Sequence, residues 1–88
     1  MKKITLENGL TLELDEKVMD NMELVDTLAE AADEDPLAVS RMVKLILGTE
    51  GRKKLYESLR TEDGRVPVAK VSDAVKEIFE AFGEKGKN

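Results

Sequence analysis

Residues 35–48, DPLAVSRMVKLILG, constrain this chain more than any other stretch. They hold its most apolar run, bounded by explicit start and stop signals. Asp35 can accept hydrogen bonds from the first free amides of a helix. Pro36 suits the first helical position, where a missing N–H costs nothing. Leu37, Val39, Met42, Val43 and Ile46 recur at helical spacing, and Leu45 and Leu47 widen the apolar surface. Gly48 can take left-handed backbone and end the helix. A helix with so little polar face is expected to be covered on more than one side. The reading is a central helix over residues 36–47 with the other elements built around it.

The chain has 88 residues, enough for one modest core. It contains no cysteine and no histidine. Disulfides, thiolate or imidazole metal sites and histidine-assisted nucleophiles are therefore excluded. Formal net charge is -5, which opposes non-specific binding to nucleic acid or anionic membrane. No apolar run approaches the ~20 residues of a membrane span, and no secretory leader is expected. The charge is uneven. Residues 1–40 hold eleven acids against three bases, and residues 41–60 hold six bases against two acids. This polarity can orient a partner, join copies of the chain, or form solvated faces that pair within one molecule.

Ile4, Leu6, Leu10, Leu12 and Leu14 alternate on either side of Asn8-Gly9, which predicts a hairpin with a type I′ turn. Two strands alone are marginal, so the hairpin must lie on helices or gain strands from another chain. A first helix is expected from about Asp20, with Asp20 and Glu23 as a capping box, to Asp33 or Glu34. Its inner stripe is read as Met22, Val25, Leu28, Ala29 and Ala32, flanked by Leu24, with Asp26, Glu30 and Asp33 outside. A further helix is expected from Thr49 to about Arg60, weakened by Gly51. Residues 61–65 form the clearest loop. Val68, Val71, Val75, Ile78, Phe79 and Phe82 then predict one helix from Pro67 until Gly83 stops it. The fold class is α+β: an N-terminal β-hairpin packed with about four α-helices. Residues 1–83 form the single domain and residues 84–88 a polar, flexible tail.

No catalytic constellation is found, and neither a metal nor a cofactor is expected. Adjacent Asp33, Glu34 and Asp35 diverge and supply no calcium loop. Asp63-Gly64 lacks the flanking ligands of a calcium-binding helix-loop-helix, since Leu59, Thr61 and Lys70 occupy those places. Arg52, Lys53 and Lys54 form the compact basic cluster from which a helix-turn-helix reading would start. That footprint is small on an acidic chain.

The whole pattern resembles a family of small tail assembly chaperone-like proteins of tailed phages and prophages of Gram-positive bacteria. The resemblance runs from the hairpin through NMELVDTLAEAADEDPLAVSRMVKLILG to RTEDGRVPVAKVSDAVKEIFEAF, about residues 3–83. The acidic turn followed by Pro-Leu-Ala is Asp35-Pro36-Leu37-Ala38, and the Lys-Leu-Leu-Leu-Gly-like ending is Lys44-Leu45-Ile46-Leu47-Gly48. Asp-Gly-Arg-Val-Pro stands at residues 63–67. The family's Asp-Trp-Glu-Leu-type opening reads Asn21-Met22-Glu23-Leu24 here, without the tryptophan.

The resemblance implies a protein of the bacterial host cytoplasm that holds the helical tape-measure protein during tail assembly and is absent from the mature virion. Weak self-association along the client is part of that expectation. The client surface is expected on Met22, Leu24 and Phe82, with the acidic face Asp26, Glu30 and Asp33 steering basic client regions. Two other readings are a small helix-turn-helix-like transcription regulator and a structural tail or connector component.

Overall fold

In the computed structural model, which describes residues 1–31 and 35–86, Asp35 accepts the Leu37 N–H at 3.0 Å and Pro36 opens the helix that follows. The elements in order are β1 (Lys2–Thr5), β2 (Thr11–Leu14), a 3-10 turn (Glu16–Met19), α1 (Met22–Ala31), α2 (Pro36–Leu59) and α3 (Val68–Gly86). The fold is a small α+β unit, a two-stranded hairpin on helices.

Helix α2 is the axis of the fold, and it is bent. At Gly48 the backbone has φ 69° and ψ -173°, a conformation essentially confined to glycine. Residues 36–47 and 49–59 are therefore two arms, corresponding to two of the four expected helices. Gly51 has a second role at the bend. A Cβ there would lie 2.8 Å from Leu47 Cβ, so the missing side chain lets the second arm come this close to the first. The first arm buries Ala38, Val39, Met42, Val43 and Ile46, and the second buries Leu55 completely. Coverage is less complete than expected: Leu37 is 70% and Leu45 36% exposed. Neighbours cover only one broad side of this arm, so its remaining apolar positions face water.

The strands pair antiparallel with Ile4 opposite Leu12 and Thr5 opposite Thr11. Ile4, Leu6, Leu12 and Leu14 are buried, while Thr5 and Thr11 meet outside at 3.1 Å. The turn differs from the expected two-residue type. Gly9 donates its N–H to Leu6 O at 2.9 Å, and Leu6 N–H bonds Leu10 O at 2.8 Å. Glu7 and Asn8 are thus the turn's centre, and Gly9, with φ 91°, follows them as the left-handed residue. Asn8 Oδ1 accepts the Leu10 N–H at 3.0 Å, and its amide reaches Ser58 Oγ at 3.1 Å. Glu77 Oε1 accepts the Glu7 N–H at 3.3 Å. The hairpin tip is therefore fastened to α2 and α3.

Helix α1 starts one residue later than expected. Asn21, not Asp20, caps it by accepting the Glu23 N–H at 3.0 Å, because Asp20 already closes the 3-10 turn. Its rotation also differs from the expected stripe. Leu24 is 2% exposed and Thr27 6%, whereas Met22, Val25 and Leu28 stand in water at 70%, 48% and 44%. Thr27 tolerates burial because its hydroxyl donates to Glu23 O at 2.7 Å. Ala32, Asp33 and Glu34 lie outside the described residues.

Helix α3 is unbroken at Ser72, as expected, and buries Val71, Ala74, Val75 and Ile78. Gly83 does not stop it; the helix runs on to Gly86. One interior glycine costs only about 1 kcal/mol, and no proline follows to end the helix. Lys87 and Asn88 lie outside the described residues. Before α3, the Thr61 hydroxyl donates to Asp63, Arg65 Nε reaches Asp63 Oδ2 at 2.7 Å, and Arg60 Nη1 reaches Gly64 O at 2.8 Å.

Candidate functional site

The rotation of α1 decides what the surface can do. At about 100° per residue, Met22, Ala29, Val25 and Leu28 lie side by side over an arc of roughly 120°. All four are exposed. A surface helix ordinarily turns such an apolar arc toward its core. Here the core takes Leu24 and Thr27, and the broader arc is left facing out.

The arc leads through Leu28 into a groove of about 200 Å³ between the three helices. Val39 and Met42 of α2 floor the groove, and Ser72, Val75, Lys76 and Phe79 of α3 form its far wall. On the other flank of α1 the chemistry changes. Glu23, Asp26 and Thr27 face Arg41, Lys44 and Leu45 of α2 across a shallow cleft of about 440 Å³. Glu30 on the same flank is ion-paired with Arg41. Both partners are about half exposed, so the pair contributes well under 1 kcal/mol. The larger cleft is charged on both walls; the smaller groove is the apolar one, and it adjoins the exposed arc.

The residues expected to form a client surface are not all brought together. Met22 lies on the exposed arc, and Asp26 and Glu30 lie on the acidic flank beside it. Leu24 is a correction: it is buried under α1 and contributes no surface. Asp33 lies outside the described residues. Phe82 is half-buried against the core, with Lys2 Nζ 5.9 Å from its ring centroid, so it is engaged with β1. Sequence reasoning missed Val25, Leu28 and the groove wall. Apolar residues at 22, 24, 25, 28 and 29 fit two helix faces, and Thr27 was the clue to the buried one. A threonine can satisfy its own hydroxyl within a helix, which frees it for a core position.

Among the described residues no group of three or more Asp or Glu is placed to hold a metal, and no helix is long and apolar enough to cross a membrane. Asp63, in the loop before α3, has its carboxyl held below the usual range by the Thr61 hydroxyl and then by Arg65. That pairing orders a loop. In the basic cluster, Arg52 is half-buried while Lys53 and Lys54 are exposed. Comparison with models of protein families, with characterised proteins and with solved structures finds no match to this chain.

Proposed function

We propose that this protein is a phage or prophage tail assembly chaperone that binds the helical tape-measure protein during tail assembly. The observation that carries the reading is the outward apolar arc of α1, continuous with the groove beside it. A long amphipathic client needs its apolar stripe covered until tail-tube subunits arrive, and α1 offers a complementary strip about 10 Å long. The acids around the arc keep the loaded complex soluble and speed encounter with basic client segments. The resemblance carried by residues 35–48 and 63–67 supports the same reading. The protein then acts in the host cytoplasm and leaves before the virion matures.

The test is co-expression with the tape-measure protein encoded beside it, followed by chromatography with light scattering. Wild type should co-elute with the client. Met22→Ser and Val25→Ser should keep their melting transitions and lose it. Folded variants that capture the client at wild-type yield would remove this surface from the reading. Failure of wild type to capture any tape-measure segment, together with binding to a defined DNA duplex at physiological salt, would replace the chaperone with a regulator. Finding the protein in purified mature tails would make it a structural component.

A further inference from the structure

The hairpin tip presents Asn8 and Gly9 together, and both are exposed. An asparagine amide is open to attack by the next backbone nitrogen, and a following glycine has no side chain to crowd the approach. The space is free in three dimensions as well: a Cβ built at Gly9 would meet nothing within 4 Å. Asn8 Oδ1 accepts the Leu10 N–H at 3.0 Å, which places a donor on the oxygen where negative charge develops during attack. We propose that Asn8-Gly9 is a site of spontaneous deamidation, and that the conversion unfastens the hairpin tip from α2 and α3. The conversion requires no partner, and so stands apart from the chaperone reading.

Hydroxide takes the proton of the Gly9 amide as its 2.9 Å bond to Leu6 O opens. The freed nitrogen attacks Asn8 Cγ. The N–Cγ bond forms, the Cγ–Nδ2 bond breaks, and ammonia leaves with a proton from water, which restores the hydroxide. Water then opens the resulting succinimide at either carbonyl, giving aspartate or isoaspartate. Water is consumed and ammonia released, with no change of oxidation state.

Neither product keeps the contacts of the tip. The Leu10 N–H fixes Asn8 Oδ1, so Nδ2 is the group that donates to Ser58 Oγ at 3.1 Å. The Ser58 hydroxyl already gives its proton to Leu55 O at 2.7 Å. Aspartate sets carboxylate oxygen against that hydroxyl oxygen where a donor stood, and a hydroxyl turned toward it deserts Leu55 O. The new charge also enters a cleft lined by Glu7, Asp73 and Glu77, with Lys70 as its base. Isoaspartate goes further, because it adds a methylene to the chain between Leu6 and Leu10, which are bonded N–H to O at 2.8 Å. The Glu7 N–H bond to Glu77 Oε1, at 3.3 Å, depends on the same tip geometry.

The full chain is held at mildly alkaline pH, and peptide mapping by mass spectrometry reads the change from amide to acid. Asn8 should convert to a mixture of aspartate and isoaspartate, while Asn21, followed by Met22 at the start of α1, should not. Asn8→Gln, whose side chain is one carbon longer and closes a larger ring, should stay intact over the same period. Anion exchange separates converted from unconverted chain. In the converted chain the Glu7 amide should exchange roughly two- to tenfold faster, as the loss of a hydrogen bond implies. Asn8→Asp, made directly, should show the same release, and Ser58→Ala should loosen the tip without any conversion. The melting transition should persist, since Ile4, Leu12 and Leu14 are buried away from the tip. An Asn8 that stays intact, an Asn21 that converts equally fast, or unchanged Glu7 exchange in the converted chain would overturn the inference. Loss of the whole melting transition on conversion would overturn it too, since the release would then not be confined to the tip.

Discussion

Leu24 and Val25 are neighbours in sequence about 100° apart around α1, one turned to the core and one to water, and truncating each to alanine measures how that helix is turned. Leu24→Ala removes three carbons from a side chain that is 2% exposed. At about 0.8 kcal/mol per buried carbon the transfer loss is about 2.4 kcal/mol, and the void left behind raises the total to about 3–4 kcal/mol. Val25→Ala removes two carbons from a side chain that is 48% exposed. The transfer loss is about 0.8 kcal/mol, and the better helix propensity of alanine offsets roughly half of it. Urea unfolding followed by far-ultraviolet circular dichroism gives both values. With a slope of about 1–1.5 kcal/mol per molar for a chain this small, the Leu24 midpoint should fall by about 2–4 M and the Val25 midpoint by under about 0.5 M. If the stripe of Met22, Val25 and Leu28 faced the core, the order would invert. A Val25 variant as destabilised as the Leu24 variant would refute the rotation, and with it the surface on which the proposed function stands.

Gly48→Ala and Gly51→Ala should each lower stability by about 1–3 kcal/mol, the first through positive φ and the second through the Leu47 contact, both readable as a melting shift of at least several degrees. Ile46→Asp should abolish the folded dichroism signal, because Ile46 is 3% exposed and a carboxylate there has no partner. Leu45→Asp, at a position 36% exposed, should instead leave a cooperative transition; loss of that transition would place Leu45 in the core after all. The Asp63 carboxyl titrates below its unfolded value, so its contribution to the loop is complete above the ordinary aspartate range near pH ~4 and disappears as pH falls through the depressed value. Amide exchange at Gly64 and Arg65, corrected for intrinsic pH dependence, should lose protection over that acid range, and Asp63→Asn should remove the pH dependence.

Local signals were legible wherever one residue type had one job. Asp35, Pro36 and Gly48 announced the ends of the first arm of α2, since capping and left-handed backbone depend on neighbours a few residues away. The alternation around Asn8-Gly9 gave the hairpin, although the turn's centre shifted one residue because Gly9 serves as the left-handed residue after the turn. Rotation of α1 was less legible. Its seven-residue stretch from Met22 to Leu28 offers apolar residues to two faces, and the choice depends on which one α2 meets. Gly51 read as a weakness because its purpose, contact across the bend with Leu47, exists only in three dimensions. Of the candidate surface residues, Met22 and Asp26 were read correctly as exposed, and Leu24 was misplaced for the same reason.

The fastening of the hairpin tip has a consequence for synthesis. Glu7 bonds to Glu77, 70 residues later, and Asn8 to Ser58, 50 residues later. The hairpin can pair within itself early, but its tip waits for its helical partners. At ribosomal speeds of 5–20 residues per second, the segment bearing Ile4, Leu6, Leu12 and Leu14 waits roughly 4–14 s before α3 is made. During that interval its apolar side chains are open to other nascent chains.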